Sequence, residues 1–574
     1  MKVKRSISPI SPAVLPLILC ACALSLCGCA KDLYDIDKET ADGKTYDFSV
    51  RITVSDELTR GPLDPDEDNG EYTLGFTEDE SAINTLTLIM MRVLSDKTEV
   101  FESSQTIVIS ETDKTDGAYK IDFNLTGYSG IKRFYLGANM EQEHIGAFTT
   151  PDRIFDTGTG TDGHNIVEKL MTVSPEDGSG SNIVMTADIT QNGGSRDIEL
   201  TGDNPTVTID NPVKLTRTVA KVLLTCTPDG SNKNYVNAVD SKDKDQSEKT
   251  ETGWIRFDNV RYILNVLNRK TYLDYRVKSD GDGEWLTDPN YNMSDWIVYR
   301  GDETGRYGLK DLDAYRRDFW YYDTQEMVDM LTAENGIQPC TRRTATVYDE
   351  NKIGDKNSST HYTEGLYCTE NMIYKDMTFS NDPNGELFES ANRFVTTHII
   401  VGAKYTPKNI WTVNGNGELT EKTASTEDEA TGILDESFTS GEYLSGTFWQ
   451  CTDAIKGDDG TILYAEGDYF TYSGLARLLQ KHPDAHLNRY DGGWGYYYSN
   501  IDGSDDDNGH LTYDGLERWG VKRNHYYILN VTEVVAPGSP FPGNELMRIH
   551  SELVGWIDQG GSEIDIDIPQ ESEQ

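Results

Sequence analysis

Apolar and polar residues alternate strictly in two short stretches near opposite ends of the chain. In the first, Tyr46, Phe48, Val50, Ile52 and Val54 alternate with Asp47, Ser49, Arg51 and Thr53. In the second, Ile564, Ile566 and Ile568 alternate with Asp565 and Asp567. A period of two places one apolar and one wet face on an extended strand. Leu553-Val554-Gly555-Trp556-Ile557 is another alternating candidate, joined to the isoleucine run through Asp558-Gln559-Gly560-Gly561. Between the ends, the pattern predicts many short strands. Thr85 to Val93 is strongly apolar, Lys120 to Leu125 alternates, and Phe134 to Ala138 follows closely. Clusters of Gly, Asn and Asp separate these runs at the spacing of a β-sandwich.

Asp210-Asn211-Pro212 reads as a turn and a domain boundary. The run from Val213 to Leu224 reads as the first strand of a second domain. Helices are predicted at two places. Asp323 caps the first and Glu326 reaches back to it, with Met327, Met330 and Leu331 on the buried face. The second spans Ser473 to Gln480, with Leu475, Leu478 and Leu479 on one side, and ends before Pro483. The tyrosine-rich run Trp494 to Asn500 and the run Trp519 to Val531 are predicted to pair with each other around an acidic loop. No repeat of solenoid or propeller period is present.

Composition narrows the class. The chain has 574 residues, with 97 Asp or Glu against 52 Lys or Arg, a net charge of −45. That charge argues against nucleic acid and against electrostatic binding to an anionic lipid surface. The 32 tyrosines and the recurring Thr, Val and Ile suit half-buried strands. The first thirty residues read as a targeting segment, with Lys2, Lys4 and Arg5 ahead of an apolar stretch that ends at Leu26. Leu26-Cys27-Gly28-Cys29 resembles a bacterial lipoprotein signal, with Cys29 as the lipidated residue. Leu19-Cys20-Ala21-Cys22 fits the same pattern behind a shorter apolar region. Apart from the signal, no apolar run is long enough to span a bilayer, so export with a lipid tether is expected.

Candidate chemistry is sparse. Four of the eight cysteines lie in the signal; Cys226, Cys340, Cys368 and Cys451 are scattered without metal-ligand spacing and read as small buried apolar residues. A Cys340–Cys368 disulfide is the alternative in an exported protein. His482 and His486 have a helical two-ligand spacing, but Pro483 lies between them and no Glu follows the first. Asp502, Ser504, Asp506 and Asn508 alternate like a calcium loop, yet Asp507 stands where such loops want glycine; Asp64, Asp66 and Asp68 share the weakness. These read as solvated acidic turns. No nucleophile elbow, phosphate loop or dinucleotide fingerprint is present, so no catalytic residue, no metal and no cofactor is assigned.

Several residues together carry a family resemblance. Val521 to Val531, with Arg523-Asn524-His525-Tyr526-Tyr527 at its core, resembles the C-terminal signature of Bacteroidales type V pilus fimbrillins, specifically the short-fimbria (Mfa-type) major shaft subunits. The Tyr496-Tyr497-Tyr498 run, the Arg217 to Leu224 run, the lipoprotein signal and Thr59-Arg60-Gly61-Pro62 match the same pattern in order. The resemblance implies an all-β fold of two transthyretin-like β-sandwich domains, with a few short helices in the second. It also implies an outer-membrane lipoprotein precursor cut after Arg60 by a trypsin-like, Arg-specific surface protease, with Gly61 as the new N-terminus. The expected segments are a signal peptide (1–28), a propeptide with a removable strand (29–60), a first sandwich (61–211), a second with insertions (212–548) and a donor segment (549–574). Residues 1–60 hold eight Lys or Arg and eight Asp or Glu, so the trimmed chain keeps −45.

In that scheme Tyr46 to Val54 plugs a groove until cleavage frees it. The partners implied are identical subunits head-to-tail, anchor and tip subunits, and the protease, in a surface fimbrium that supports adhesion. Ile564, Ile566 and Ile568, with or without the Trp556 segment, would replace the plug on a neighbour by strand addition. An ordinary terminal strand is the other reading of the isoleucine run, and a plain surface arginine the other reading of Arg60. Two further readings of the whole chain remain: a tip or accessory adhesin, and a glycan-binding surface lipoprotein or glycosidase that keeps residues 30–60.

Overall fold

The computed structural model describes chiefly residues 44–53, 82–157, 181–227, 249–274, 312–333, 365–371, 396–501 and 521–542, with shorter runs between them. The protein is built mostly of β-strands arranged in several sheets. Two sheets enclose the core of the first half. One runs, in order, through Thr216–Arg217, Met185–Asp188, Gly130–Ala138, Thr85–Val93 and Glu99–Val108, and Ile198–Leu200 also pairs with Gly130–Ala138. The other runs through Thr206–Val213, Lys44–Thr53, Ala118–Gly127 and Lys114–Thr115.

The packing explains the two kinds of strand pattern. Ile121, Phe123 and Leu125 are buried while Asp122 and Asn124 are exposed, a sheet with one wet face. The 85–93 strand has no wet face. Leu86, Leu88 and Met90 enter the core between the sheets, whereas Ile89 and Met91 join a second cluster with Tyr135, Phe148 and Phe155 behind it. That is why its sequence is apolar from Leu86 to Met91 at every position but Thr87.

In the second half, Val219–Cys226 is buried at every position and lies beside Tyr526–Val531 (parallel), Leu366–Thr369 (antiparallel) and Thr346–Val347 (parallel). A facing sheet centres on His398–Pro407, flanked by Gly253–Arg256, Arg261–Asn265 and Trp494–Asn500. Val222, Leu224, Tyr262, Ile399, Val401, Tyr497 and Leu529 fill the space between them. Between the paired strands His398–Pro407 and Trp494–Asn500 the chain makes an excursion. It forms a five-stranded sheet from Asn409–Val413, Leu419–Thr423, Phe448–Cys451, Tyr469–Phe470 and Leu487–Tyr490, with two helices.

Local expectations fare well. Helix Thr324–Thr332 carries the Asp323–Glu326 capping box and buries Met327, Met330 and Leu331. Helix Tyr472–Lys481 is capped by Thr471 and buries Leu478, but Leu479 is exposed. Three longer-range expectations are corrected. The tyrosine-rich strand and Tyr526–Val531 do not pair with each other: the first joins His398–Pro407 and the second lies parallel to Val219–Cys226. A strand buried along its whole length needs a neighbour on both edges, and that requirement draws 526–531 into the opposite sheet. Asp210-Asn211-Pro212 is not a turn but part of strand Thr206–Val213. Pro212 is accommodated there by a register shift against the N-terminal strand, between Val50 and Ile52. The run 213–224 is accordingly divided among three strands rather than one. Cys226, Cys368 and Cys451 are buried and form no disulfide with one another; Cys340, and with it the Cys340–Cys368 alternative, lies outside the described residues.

Candidate functional site

Strand Lys44–Thr53 occupies an interior place in its sheet. It pairs antiparallel with Ala118–Gly127, Tyr46 opposite Leu125, Phe48 opposite Phe123 and Val50 opposite Ile121. Those three partners are buried. On its other edge it pairs in parallel with Thr206–Val213. The sheet order makes the N-terminal strand the sole described sheet neighbour of 206–213. The first alternating stretch of the sequence is therefore a strand whose removal would split a four-stranded sheet.

The other predicted site residues lie outside the described residues: Cys29, Val54, Arg60, Gly61, Trp556, Ile564, Ile566 and Ile568. So do both acidic turns that were compared with calcium loops. His482 and His486 line an open cleft of about 350 Å³ with Asp453, Lys481 and Pro483. His486 Nδ1 lies 3.2 Å from Asp453. No three His, Cys, Asp or Glu side chains are grouped to hold a metal among the described residues.

The residues of the C-terminal signature meet at the joint between the two halves. The Arg523 guanidinium donates to Glu370 from Nε at 3.0 Å and from Nη2 at 2.7 Å. It also donates to the carbonyls of Tyr272 at 2.6 Å and Leu273 at 3.3 Å. Arg523 and Glu370 are each about 1% exposed; both bonds end on Glu370 Oε2, while Oε1 is buried without a hydrogen-bond partner among the described residues. Asn524, with φ of 59°, adopts the left-handed conformation that asparagine tolerates better than most residues. Its amide donates to Val219 O at 2.8 Å, and its Oδ1 accepts from Arg217 Nη1 at 3.2 Å, across 307 positions of sequence. Val521 exchanges backbone bonds with Asn371, which sets the two signature residues in place.

The segment gripped by Arg523 reaches into the first half. Lys270–Tyr272 pairs with Ile154–Asp156. The Thr186 hydroxyl donates to Leu273 O, and Thr157 N donates to Arg269 O at 2.9 Å. Asp274 lies 3.3 Å from Arg153, whose Nη1 also donates to Glu99 at 2.7 Å. Burial pushes the Glu99 carboxyl up, but the Tyr135 hydroxyl and the Arg153 and Arg133 guanidiniums outweigh it and hold it below the usual carboxylate range. Arg217 and Arg523 were visible in the sequence as parts of motifs. Glu370, Asp274, Arg153 and Glu99 were not, because nothing local marks a charge whose partner lies between 34 and 153 positions away.

No protein-family model matches the chain, and no curated protein matches it. Several solved structures are similar. A fimbrilin from Porphyromonas gingivalis W83 is 13% identical with a TM-score of 0.34, covering 90% of this chain and 99% of its own. The tip fimbrial protein of Porphyromonas gingivalis, solved with a C-terminal truncation, is 9% identical with a TM-score of 0.26, covering 85% and 95%. A candidate cell adhesion protein from Parabacteroides distasonis is 11% identical with a TM-score of 0.35, covering 89% and 97%.

Proposed function

We propose that the chain is a structural subunit of a cell-surface fimbrium. It is exported as a lipoprotein lipidated at Cys29, trimmed after Arg60 by an Arg-specific protease, and polymerised head-to-tail by strand exchange. Two sandwiches, 61–211 and 212–548, form the body of the subunit, and 549–574 supplies the incoming strand. Anchor and tip subunits terminate the filament, which supports adhesion. The observation that carries this reading is the N-terminal strand, held in the interior of a sheet only seven residues before Arg60.

Withdrawing the strand leaves unpaired N–H and C=O groups on both 118–127 and 206–213, beside apolar side chains of the core. Such a gap is filled favourably by another extended segment with apolar residues at alternate positions. Ile564, Ile566 and Ile568 have that spacing, and burying each contributes roughly 1.5–3 kcal/mol before ordering costs. A contact in which the tail of one copy fills the groove of the next does not close on itself, so it propagates.

The test mixes purified precursor with a trypsin-like protease and follows the product on a denaturing gel without heating. The expected result is a ladder of oligomers that Ile566→Asp abolishes without unfolding the subunit. A stable monomer trimmed at Arg60 would overturn the proposal. Unchanged polymerisation of Ile566→Asp would instead reassign the donor strand.

A further inference from the structure

The joint between the halves holds a crowded group of charges that the assembly scheme does not use. Glu99, Asp188, Asp197 and Asp274 converge on Arg133, Arg153 and Arg196 around the Tyr135 ring. Among the described residues, four carboxylates of this group thus pair with three guanidiniums. Lys97 approaches Asp197 only at 3.9 Å, from an exposed position. Glu99 is the best satisfied, with Arg133, Arg153 and the Tyr135 hydroxyl all within 2.7 Å. Asp188 is the worst. Its Oδ2 pairs with Arg196 at 2.8 Å, but its Oδ1 is buried and accepts no hydrogen bond from any described residue.

Asp188 sits at the end of strand Met185–Asp188, the strand that also carries Thr186, bonded across the joint to Leu273. The charged and titratable groups acting on it are Arg196, Asp274, Arg153 and Glu99. Asp274 belongs to the segment from the second half, and its charge disfavours an ionised Asp188 across the joint.

We propose that this cluster is an acid-tightened joint: a proton taken up at Asp188 relieves the surplus negative charge and fastens strand Ile154–Asp156 to Lys270–Tyr272. The inference does not depend on the assembly reading. Burial, the first cause, and the neighbouring carboxylates raise the Asp188 carboxyl to about 6 despite Arg196. A carboxyl raised in the folded state binds its proton more tightly there than in the unfolded chain. Its stabilisation is therefore complete below the ordinary carboxylate value of 3.8 and is lost as the pH rises through about 6. At mildly acidic pH the halves are held more firmly than at neutral pH.

The test is hydrogen exchange on the full-length precursor at pH 7.5 and pH 5.5, corrected for intrinsic rates and read at the 154–156 and 270–272 amides. Between those values the opening constant of the pairing should fall about fourfold, the change expected from the proton linkage of one such group. The 448–451 and 487–490 pairing of the excursion should not respond. Asp188→Asn should abolish the response, and Asp274→Asn, which removes the repulsion from the other side, should reduce it by half or more. A full response retained in both variants, or wild-type opening that rises at pH 5.5, would overturn the proposal. If Asp188→Asn fails to fold, Asp274→Asn decides alone.

Discussion

Arg523 shows how much a single side chain is asked to do. Its guanidinium bonds one oxygen of a buried carboxylate and donates to carbonyls from a segment some 250 residues away. Removing one member of such a pair leaves the other charged and unsolvated. Arg523→Ala should cost about 3–5 kcal/mol in urea unfolding. The double variant Arg523→Met with Glu370→Leu, which removes both charges and keeps the volume, should recover most of that loss. If the double variant is as unstable as the single one, the interaction acts through more than charge burial. At this scale the sequence was half legible. The arginine stood out within a motif, while Glu370 is one of many carboxylates and only the fold selects it.

At the level of the element, local rules worked wherever a segment's neighbours are its own residues. The Asp323–Glu326 box and the alternation of 121–125 were legible because each is closed within a few positions. Pairing was not, since many strands are apolar enough to lie beside any other. Strand Trp494–Asn500 illustrates the constraint that finally chooses. A Cβ on Gly495 would lie 1.4 Å from Pro537 O, so only glycine lets the 536–539 segment lie across this strand. That segment is held by the Tyr496–Ser539 backbone bonds and by the Tyr490 and Tyr497 hydroxyls. Gly495→Ala should expel it and lose at least about 2 kcal/mol, measured by the urea midpoint. Gly415→Ala, where a Cβ meets nothing, should change stability by less than about 0.5 kcal/mol. Equal effects of the two would refute the close approach.

For the molecule as a whole, the sheet that includes the N-terminal strand is the weak seam. Thr206–Val213 has no other described sheet neighbour and leads within three residues to Thr216–Arg217, where Arg217 meets Asn524. Cutting after Arg60 under conditions that block polymerisation should therefore speed hydrogen exchange in 206–213 and 118–127. The 448–451 and 487–490 pairing should stay protected. Unchanged exchange in 206–213 after strand release would mean that its stability comes from core packing rather than from the N-terminal strand.

The sequence alone determined the β-rich class, the places of the major strands and two helices, and the alternating character of both chain ends. These follow from side-chain periodicity and capping, which act over a few residues. Only the tertiary structure decided that Pro212 lies inside a bulged strand, that 526–531 pairs with 219–226, and that Arg523 belongs to Glu370. Each of these is a choice among distant partners. It is made by burial, which makes every unpaired backbone group or charge costly until one arrangement satisfies them together.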